Sequence, residues 1–168
     1  SASASEILAA ALQDYGRAII VGDSKTHGKG SVQTVLGLSR SDTMGAIKVT
    51  NALFYRISGG STQLRGVTPD IVIPSAFDFM EFGEDFLSNP MEWSTVRSAI
   101  YSPFSDLKGT IADLAERSET RRGHDERFVA YRALLKRIEA MSTREALPLN
   151  LEERRAQAVA EKELLDIQ

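Results

Sequence analysis

SASASEILAAALQDYGRAIIVGDSKTHGKGSVQTVLGL, residues 1–38, passes from helix to strand to glycine-rich loop and back to strand, and that succession decides the fold class. Ser3 to Tyr15 reads as a helix: Ser3 is a capping residue, Glu6 follows at capping-box spacing, and Gly16 stops the helix. Ile7, Ala10 and Ala11 give it a close-packing face. Arg17 to Val21 is a short, mostly apolar run ending at Gly22, the pattern of a buried strand. The loop DSKTHGKG, residues 23–30, follows, and Ser31 to Leu38 returns to strand composition.

Working outward, Ala46 to Ile57 is a second run rich in Val, Thr, Ile, Phe and Tyr, and Gly59-Gly60 supplies the positive-φ residues of a tight turn. GVTPDIVIP, residues 66–74, adds a short extended piece that Pro69 and Pro74 confine to an edge or a strand end. Beyond about Ser75 β-branched density falls and apolar spacing lengthens to three and four, which sets a boundary between roughly 75 and 105. Phe128, Tyr131, Leu134 or Leu135, Ile138 and Met141 share one helix face, and Ile111, Leu114 and Ala115 mark a shorter helix before it. Leu151 to Gln168 is helical by propensity. The expected fold is α+β, a helix plus mixed sheet, followed by a mainly α-helical extension, with residues 1–75 and 76–168 as the two regions.

With 168 residues, 42% of them hydrophobic, the chain can bury one substantial core and a smaller appendage. A net charge of −3 gives no basic footprint for nucleic acid, and no window approaches the ~18 apolar residues of a membrane span. There is no cysteine, and His27 and His124 lie far apart, so neither a metal nor another cofactor is expected. The chain opens directly on a motif without an initiator Met or a signal peptide, which is expected of a piece of a longer protein.

The chemistry sits at the front. A serine that attacks a carbonyl needs a base within hydrogen-bond reach and donors for the oxyanion. At a helix start, the free N–H groups of Ala4 and Ser5 lie beside the Ser3 side chain, and the helix dipole favours negative charge there. Lys29 stands between Gly28 and Gly30, where the backbone can turn sharply and aim the amine inward. A lysine acts as a base only when neutral, a state favoured by burial and by the absence of a carboxylate partner. Taken singly, Ser3 is also a plain helix cap and Lys29 an exposed loop lysine, and both readings stay open on these residues alone.

A phosphate-binding loop is excluded. That pattern needs four residues between its first glycine and Gly-Lys, then Ser or Thr and a helix, whereas here five intervene, Gly30 follows the lysine and a strand comes next. His27 ranks below Lys29 as a base, because nearby Asp23 is the one acidic partner evident for it. Gln33 lies four residues after Lys29, ~13 Å along a straight strand, so it can orient the amine only if the flanking glycines fold the lysine back. Asp14 is eleven residues beyond Ser3, a rise of ~16 Å, so any part it plays is indirect.

SASASEILAAALQDYGRAIIVGD, then GKGSVQT, then YRISGGSTQLRGVTPDIVIP, taken in that order, resemble the carboxyl-terminal processing or tail-specific peptidases, the serine–lysine S41 family. The resemblance is specific over Ser1 to Pro74, and the helical remainder is similar, less specifically, to the C-terminal extension of the tail-specific branch. It implies the C-terminal part of a ClpP/crotonase-like protease core, with Ser3 as nucleophile, Lys29 as base, Gln33 orienting the lysine and the Ala4 N–H as an oxyanion donor. The second donor would come from an upstream segment that this chain does not include. Asp14 matches an aspartate linked to activity in the family, and DSKTHGKG is one residue longer than the commonest form of its loop. The resemblance further implies a periplasmic parent protein with a PDZ domain, acting through an acyl-enzyme on proteins with apolar, unstructured C-termini. An adaptor or self-association through the helical extension fits the same picture. The fragment by itself is expected to be inactive. Two other readings remain: a non-catalytic, protease-like scaffold that binds a partner, and a non-peptidase acyl hydrolase using the same serine and lysine.

Overall fold

The structure, a computed structural model, describes residues 2–39, 44–143, 146 and 148–165, without the side chains of residues 2, 3, 160, 161 and 163–165. It is α+β with a mainly helical C-terminal part and divides into two compact units, Ser1–Arg117 and Ser118–Gln168.

The first unit begins with α1, Ala2–Asp14. Gly16, at φ +60°, ends it: the Gly16 N–H donates to the Gln13 carbonyl at 3.0 Å and the Arg17 N–H to the Leu12 carbonyl at 2.8 Å, a left-handed C-terminal cap of the kind glycine favours. The helix already includes Ser3, so the serine stands within its first turn and not outside it as a flanking cap. The expected strand over Arg17 to Val21 shrinks to β1, Val21–Gly22, which runs parallel to β4, Ile71–Val72. The Asp70 carboxylate takes the Ile20 N–H at 2.8 Å, and Pro69 and Pro74 limit how far the partner strand can donate. β2, Ser31–Gly37, and β3, Ala46–Leu53, form an antiparallel pair with a bulge between Val32 and Gln33. A turn then reverses the chain, with the Arg56 N–H donating to the Gly60 carbonyl at 2.8 Å.

Residues 75–99 are largely irregular and pack back on this unit, which is why it extends beyond the change of composition near Ser75. Two single 3-10 turns, Ala76–Phe79 and Glu84–Phe86, lie within them, and Thr95 bridges Gly60. The buried side chains here are few and mostly polar: Ala10, Val67, Pro69 and Ile71 share the interior with Glu6, Ser31, Ser61, Thr62, Gln63 and Glu84. Among the described residues no buried side-chain nitrogen or oxygen lacks a hydrogen-bond partner, so this interior is a satisfied polar network.

α2, Lys108–His124, ends in the second unit, which continues with α3, Glu126–Ser142, and α4, Leu151–Leu165. Asp125 caps α3 by accepting the Arg127 and Phe128 N–H groups at 2.9 and 3.2 Å. Of the two leucines that compete for the apolar face of α3, Leu135 is the buried one. Arg122 and Arg132 both pair with Glu119 and both lie 5.3 Å from the Phe128 ring centroid.

Two carboxylates fasten residues 75–86 to the loop before Lys29. Asp78 accepts the Ser24 N–H at 3.2 Å, and Asp85 pairs with Lys25 at 2.6 Å. Burial raises both acids, but hydrogen bonds from Ser24 and Ser75 to Asp78, and from Lys25 to Asp85, outweigh it and hold both below the usual carboxylate range. Folded values below the unfolded one mean that the stabilisation is complete above about pH 4 and is lost as pH falls through the folded values. Protection of the Ser24 and Ser75 amides against hydrogen exchange, relative to the intrinsic exchange rate at each pH, is therefore expected to fall below about pH 4, and this acid dependence should flatten in an Asp78→Asn, Asp85→Asn double variant.

Candidate active site

Glu6 organises the site. Its carboxylate, 2% exposed, leaves α1 toward the loop: Oε1 accepts the Thr26 hydroxyl at 2.5 Å and the Gly28 N–H at 2.6 Å, and Oε2 accepts the Lys29 N–H at 3.1 Å. The sequence placed Glu6 in a capping box; the folded chain instead uses it to join the helix of Ser3 to the loop of Lys29. Thr26 extends the joint, since its hydroxyl oxygen accepts the Val67 N–H at 2.8 Å.

The glycines of the GKG triplet answer two different needs. Gly28 has φ +88°, a conformation that side chains resist, and its carbonyl accepts the Leu64 N–H at 2.8 Å. Leu64 itself is the non-glycine residue at positive φ, +64°, among the described residues. Gly30 has no such φ; it is small because a Cβ there would meet the Ser61 hydroxyl at 2.5 Å and the Gln63 backbone nitrogen at 2.7 Å. That approach lets the Gly30 N–H donate to Gln63 Oε1 at 2.9 Å and the Phe54 N–H reach the Gly30 carbonyl at 3.0 Å.

The Lys29 side chain is half-buried, and its Nζ donates to Gln33 Oε1 at 2.6 Å. Contact across four residues is possible because Lys29 precedes β2 and the bulge at Val32/Gln33 displaces the strand from a straight course. Among the described residues no carboxylate forms an ion pair with Lys29. The Ser3 side chain lies outside the described residues; its backbone is in the first turn of α1, one residue before Ala4. A helix starting at Ala2 leaves the Ala4 N–H without an intrahelical acceptor, as an oxyanion donor requires.

Asp14 is engaged elsewhere. Its carboxylate takes Arg56 in a fork, Nε at 2.9 Å and a terminal nitrogen at 2.6 Å, and the same nitrogen reaches Gln13 Oε1 at 2.9 Å. This ties the end of α1 to the turn after β3. His27 finds an acid that sequence proximity did not suggest: Nε2 is 3.4 Å from Glu84 Oε2, and its ring meets Phe82 edge-on at 5.4 Å. Asp23 instead accepts the Ser75 hydroxyl at 3.3 Å. Thr26, Gln63 and Glu84 were missed in the sequence because their partners lie 20 or more residues away. The one local signal was Glu6, a lone acid on a helix face of alanines and aliphatics.

Among the described residues no three His, Asp or Glu side chains group as metal ligands would, and no helix is long and apolar enough to cross a membrane.

Residues 1–73 match Peptidase family S41, and residues 77–168 match the C-terminal domain of tail specific protease. A tail-specific protease of Haemophilus influenzae is 39% identical over 165 residues, which is 94% of this chain and 24% of that protein. The carboxy-terminal-processing protease of Bartonella bacilliformis is 55% identical over 73 residues, 44% of this chain and 16% of that protein. A chloroplastic carboxyl-terminal-processing peptidase 2 of Arabidopsis thaliana is 44% identical over 77 residues, covering 46% and 14% of the two chains. The chain thus spans about a quarter of the length of the Haemophilus relative. Matched along nearly its whole length, the chain belongs to the tail-specific proteases of peptidase family S41.

Proposed function

We propose that this chain supplies the nucleophile, the base and one oxyanion donor of a serine endopeptidase that acts on proteins recognised by their C-termini, in the periplasm. The observation that carries the reading is the Glu6 joint, which ties the helix bearing Ser3 to the main chain of Lys29 through hydrogen bonds of 2.5 to 3.1 Å. A nucleophile and base on separate elements need such a tie, because proton transfer requires both atoms within ~3 Å in one geometry.

In the proposed reaction Ser3 Oγ attacks the scissile carbonyl carbon as its proton passes to neutral Lys29 Nζ. The Gln33 amide oxygen, accepting from Nζ, limits the directions the amine can take. The oxyanion is held by the Ala4 N–H at the positive end of α1. Collapse breaks the C–N bond, and the lysine ammonium returns its proton to the leaving amine. Water, deprotonated by the same amine, then attacks the acyl-enzyme carbonyl, and the proton goes back to Ser3 Oγ as the ester bond breaks. Asp14 contributes by fixing the end of α1 through Arg56, a supporting role away from the reacting atoms.

In the full-length protein, Ser3→Ala and Lys29→Ala are each expected to lower kcat by at least about a thousandfold and to abolish labelling by a serine-reactive probe. Undiminished proteolysis or labelling in both variants rules the peptidase reading out in favour of a scaffold. Turnover of small esters with no hydrolysis of peptides or proteins favours an acyl hydrolase. Wild-type kcat/KM should rise with pH along a limb set by deprotonation of the lysine amine. Gly30→Ala should destabilise the fold by about 1–3 kcal/mol in urea titrations, through overpacking against Ser61 and Gln63, and should lower kcat more than it raises KM. The 168 residues alone should not hydrolyse an unstructured protein with an apolar C-terminus; turnover lost on Ser3→Ala would overturn that expectation.

A further inference from the structure

The loop that carries Lys29 is held from two sides by two different parts of the chain. Glu6 of α1 holds Thr26, Gly28 and Lys29. The neighbouring positions are held by Asp78, Glu84 and Asp85, in the part that matches the C-terminal domain and not the peptidase family. Ser24 donates to Asp78, Lys25 pairs with Asp85, and the His27 carbonyl accepts the Glu84 N–H at 2.8 Å while its ring faces the Glu84 carboxylate. Gly30 is reached through Gln63, whose amide has each end spoken for: Oε1 accepts from Gly30, and Nε2 donates to Glu84 Oε1 at 3.4 Å and to the Met91 carbonyl at 3.2 Å. Glu84 and Gln63 are 8% and 1% exposed, so water cannot substitute freely for either.

We propose that residues 75–93 are a buttress for the lysine loop, with Glu84 as its positioning residue. Glu84 fixes the orientation of the Gln63 amide, the amide fixes Gly30, and Gly30 together with Glu6 fixes the main chain from which the Lys29 side chain extends. Without the Glu84 acceptor the Gln63 amide is held at Nε2 by the Met91 carbonyl alone, and Gly30 has a less firmly oriented partner. The C-terminal domain thereby takes part in catalytic geometry from its first residues. The inference rests on the reading of Lys29 as the base.

The test uses the full-length protein with Glu84→Ala, Glu84→Gln, Lys29→Ala and, as a stability control, Leu135→Ala, a buried residue of the helical unit. The measurements are kcat and KM on an unstructured protein with an apolar C-terminus, the rate of labelling by a serine-reactive probe, and Tm. Glu84→Ala is expected to lower kcat and labelling rate about 10- to 100-fold with KM within about twofold, the scale of an ångström-level misplacement of a reacting group. Glu84→Gln keeps a carbonyl oxygen for Gln63 and should recover most of the loss. Leu135→Ala should lower Tm while kcat per folded molecule stays unchanged. A kcat for Glu84→Ala within about twofold of wild type, or no recovery in Glu84→Gln, overturns the buttress. So does a loss no larger than Leu135→Ala shows at equal Tm. If Glu84→Ala does not fold, Asp85→Asn carries the test: this ion pair is one-third exposed, kcat should fall about threefold at constant KM, and an unchanged kcat overturns the proposal. An active Lys29→Ala defeats the underlying reading; an inactive Lys29→Ala beside an unaltered Glu84→Ala defeats the buttress alone.

Discussion

The buried Glu6 carboxylate is the constraint on which the rest of this site depends. Removing an ionised carboxylate from water costs several kcal/mol unless donors replace the lost hydration, and here a hydroxyl and two main-chain N–H groups do so. The acid is tolerated inside only while Thr26, Gly28 and Lys29 stay where they are. The same bonds tether the loop to α1. An amide at position 6 would offer one carbonyl oxygen and turn its own donors toward one of these donors, so the site calls for an acceptor with two equivalent oxygens. Because Glu6 lies three residues beyond Ser3, close to one turn, the loop is anchored on the same region of helix surface as the proposed nucleophile.

A polar interior of this kind differs in its mechanics from a hydrophobic one. Apolar packing is non-directional and admits small slides, whereas a network in which every donor has one suitably aligned acceptor has few alternative arrangements. The β2–β3 pair lends the loop little support by burial: Val35 and Leu36 are 65% and 49% exposed, and an isolated two-stranded pair is marginal in water. What fixes the start of β2 is the hydrogen bonding of Gly30 and Phe54 and the satisfied amide of Gln63. Trp93 strengthens the same corner, with its indole N–H on the Ser61 carbonyl at 2.8 Å and the Arg65 guanidinium 3.5 Å from its ring centroid.

What the sequence disclosed was whatever depends on near neighbours. The extent of α1, its stop at Gly16, the two long strands, the turn at Gly59-Gly60, in which Gly59 but not Gly60 has positive φ, and the apolar face of α3 follow from periodicity and from residues with special backbone preferences. The misplaced features share a cause. β1 shrank because Asp70, fifty residues on, takes the Ile20 N–H; Glu6 was read through its spacing to Ser3 when its oxygens are committed to residues 26–29; and the acid facing His27 came from residue 84 and not residue 23. A buried polar group must have a partner, but nothing in its local pattern says where along the chain the partner lies. Residues 75–99 defeated periodicity for the same reason: with little regular structure of their own, they are shaped by the groups they satisfy.

The GKG triplet shows how such constraints converge on one side chain. Lysine has a flexible four-carbon stem that carries about 2 kcal/mol of rotamer entropy, so a lysine that must present its amine in one direction needs both of its ends held. At the main-chain end, Gly28 donates to Glu6 and accepts from Leu64, Lys29 donates to Glu6, and Gly30 donates to Gln63 and accepts from Phe54. At the other end Nζ donates to Gln33, which is rooted in β2 just past its bulge. Each flanking glycine is there so that its half of the clamp can form: Gly28 for a backbone angle that a side chain would resist, Gly30 for a backbone approach that a Cβ would block. Flexibility in the glycines as residues is thus converted into rigidity of the lysine between them.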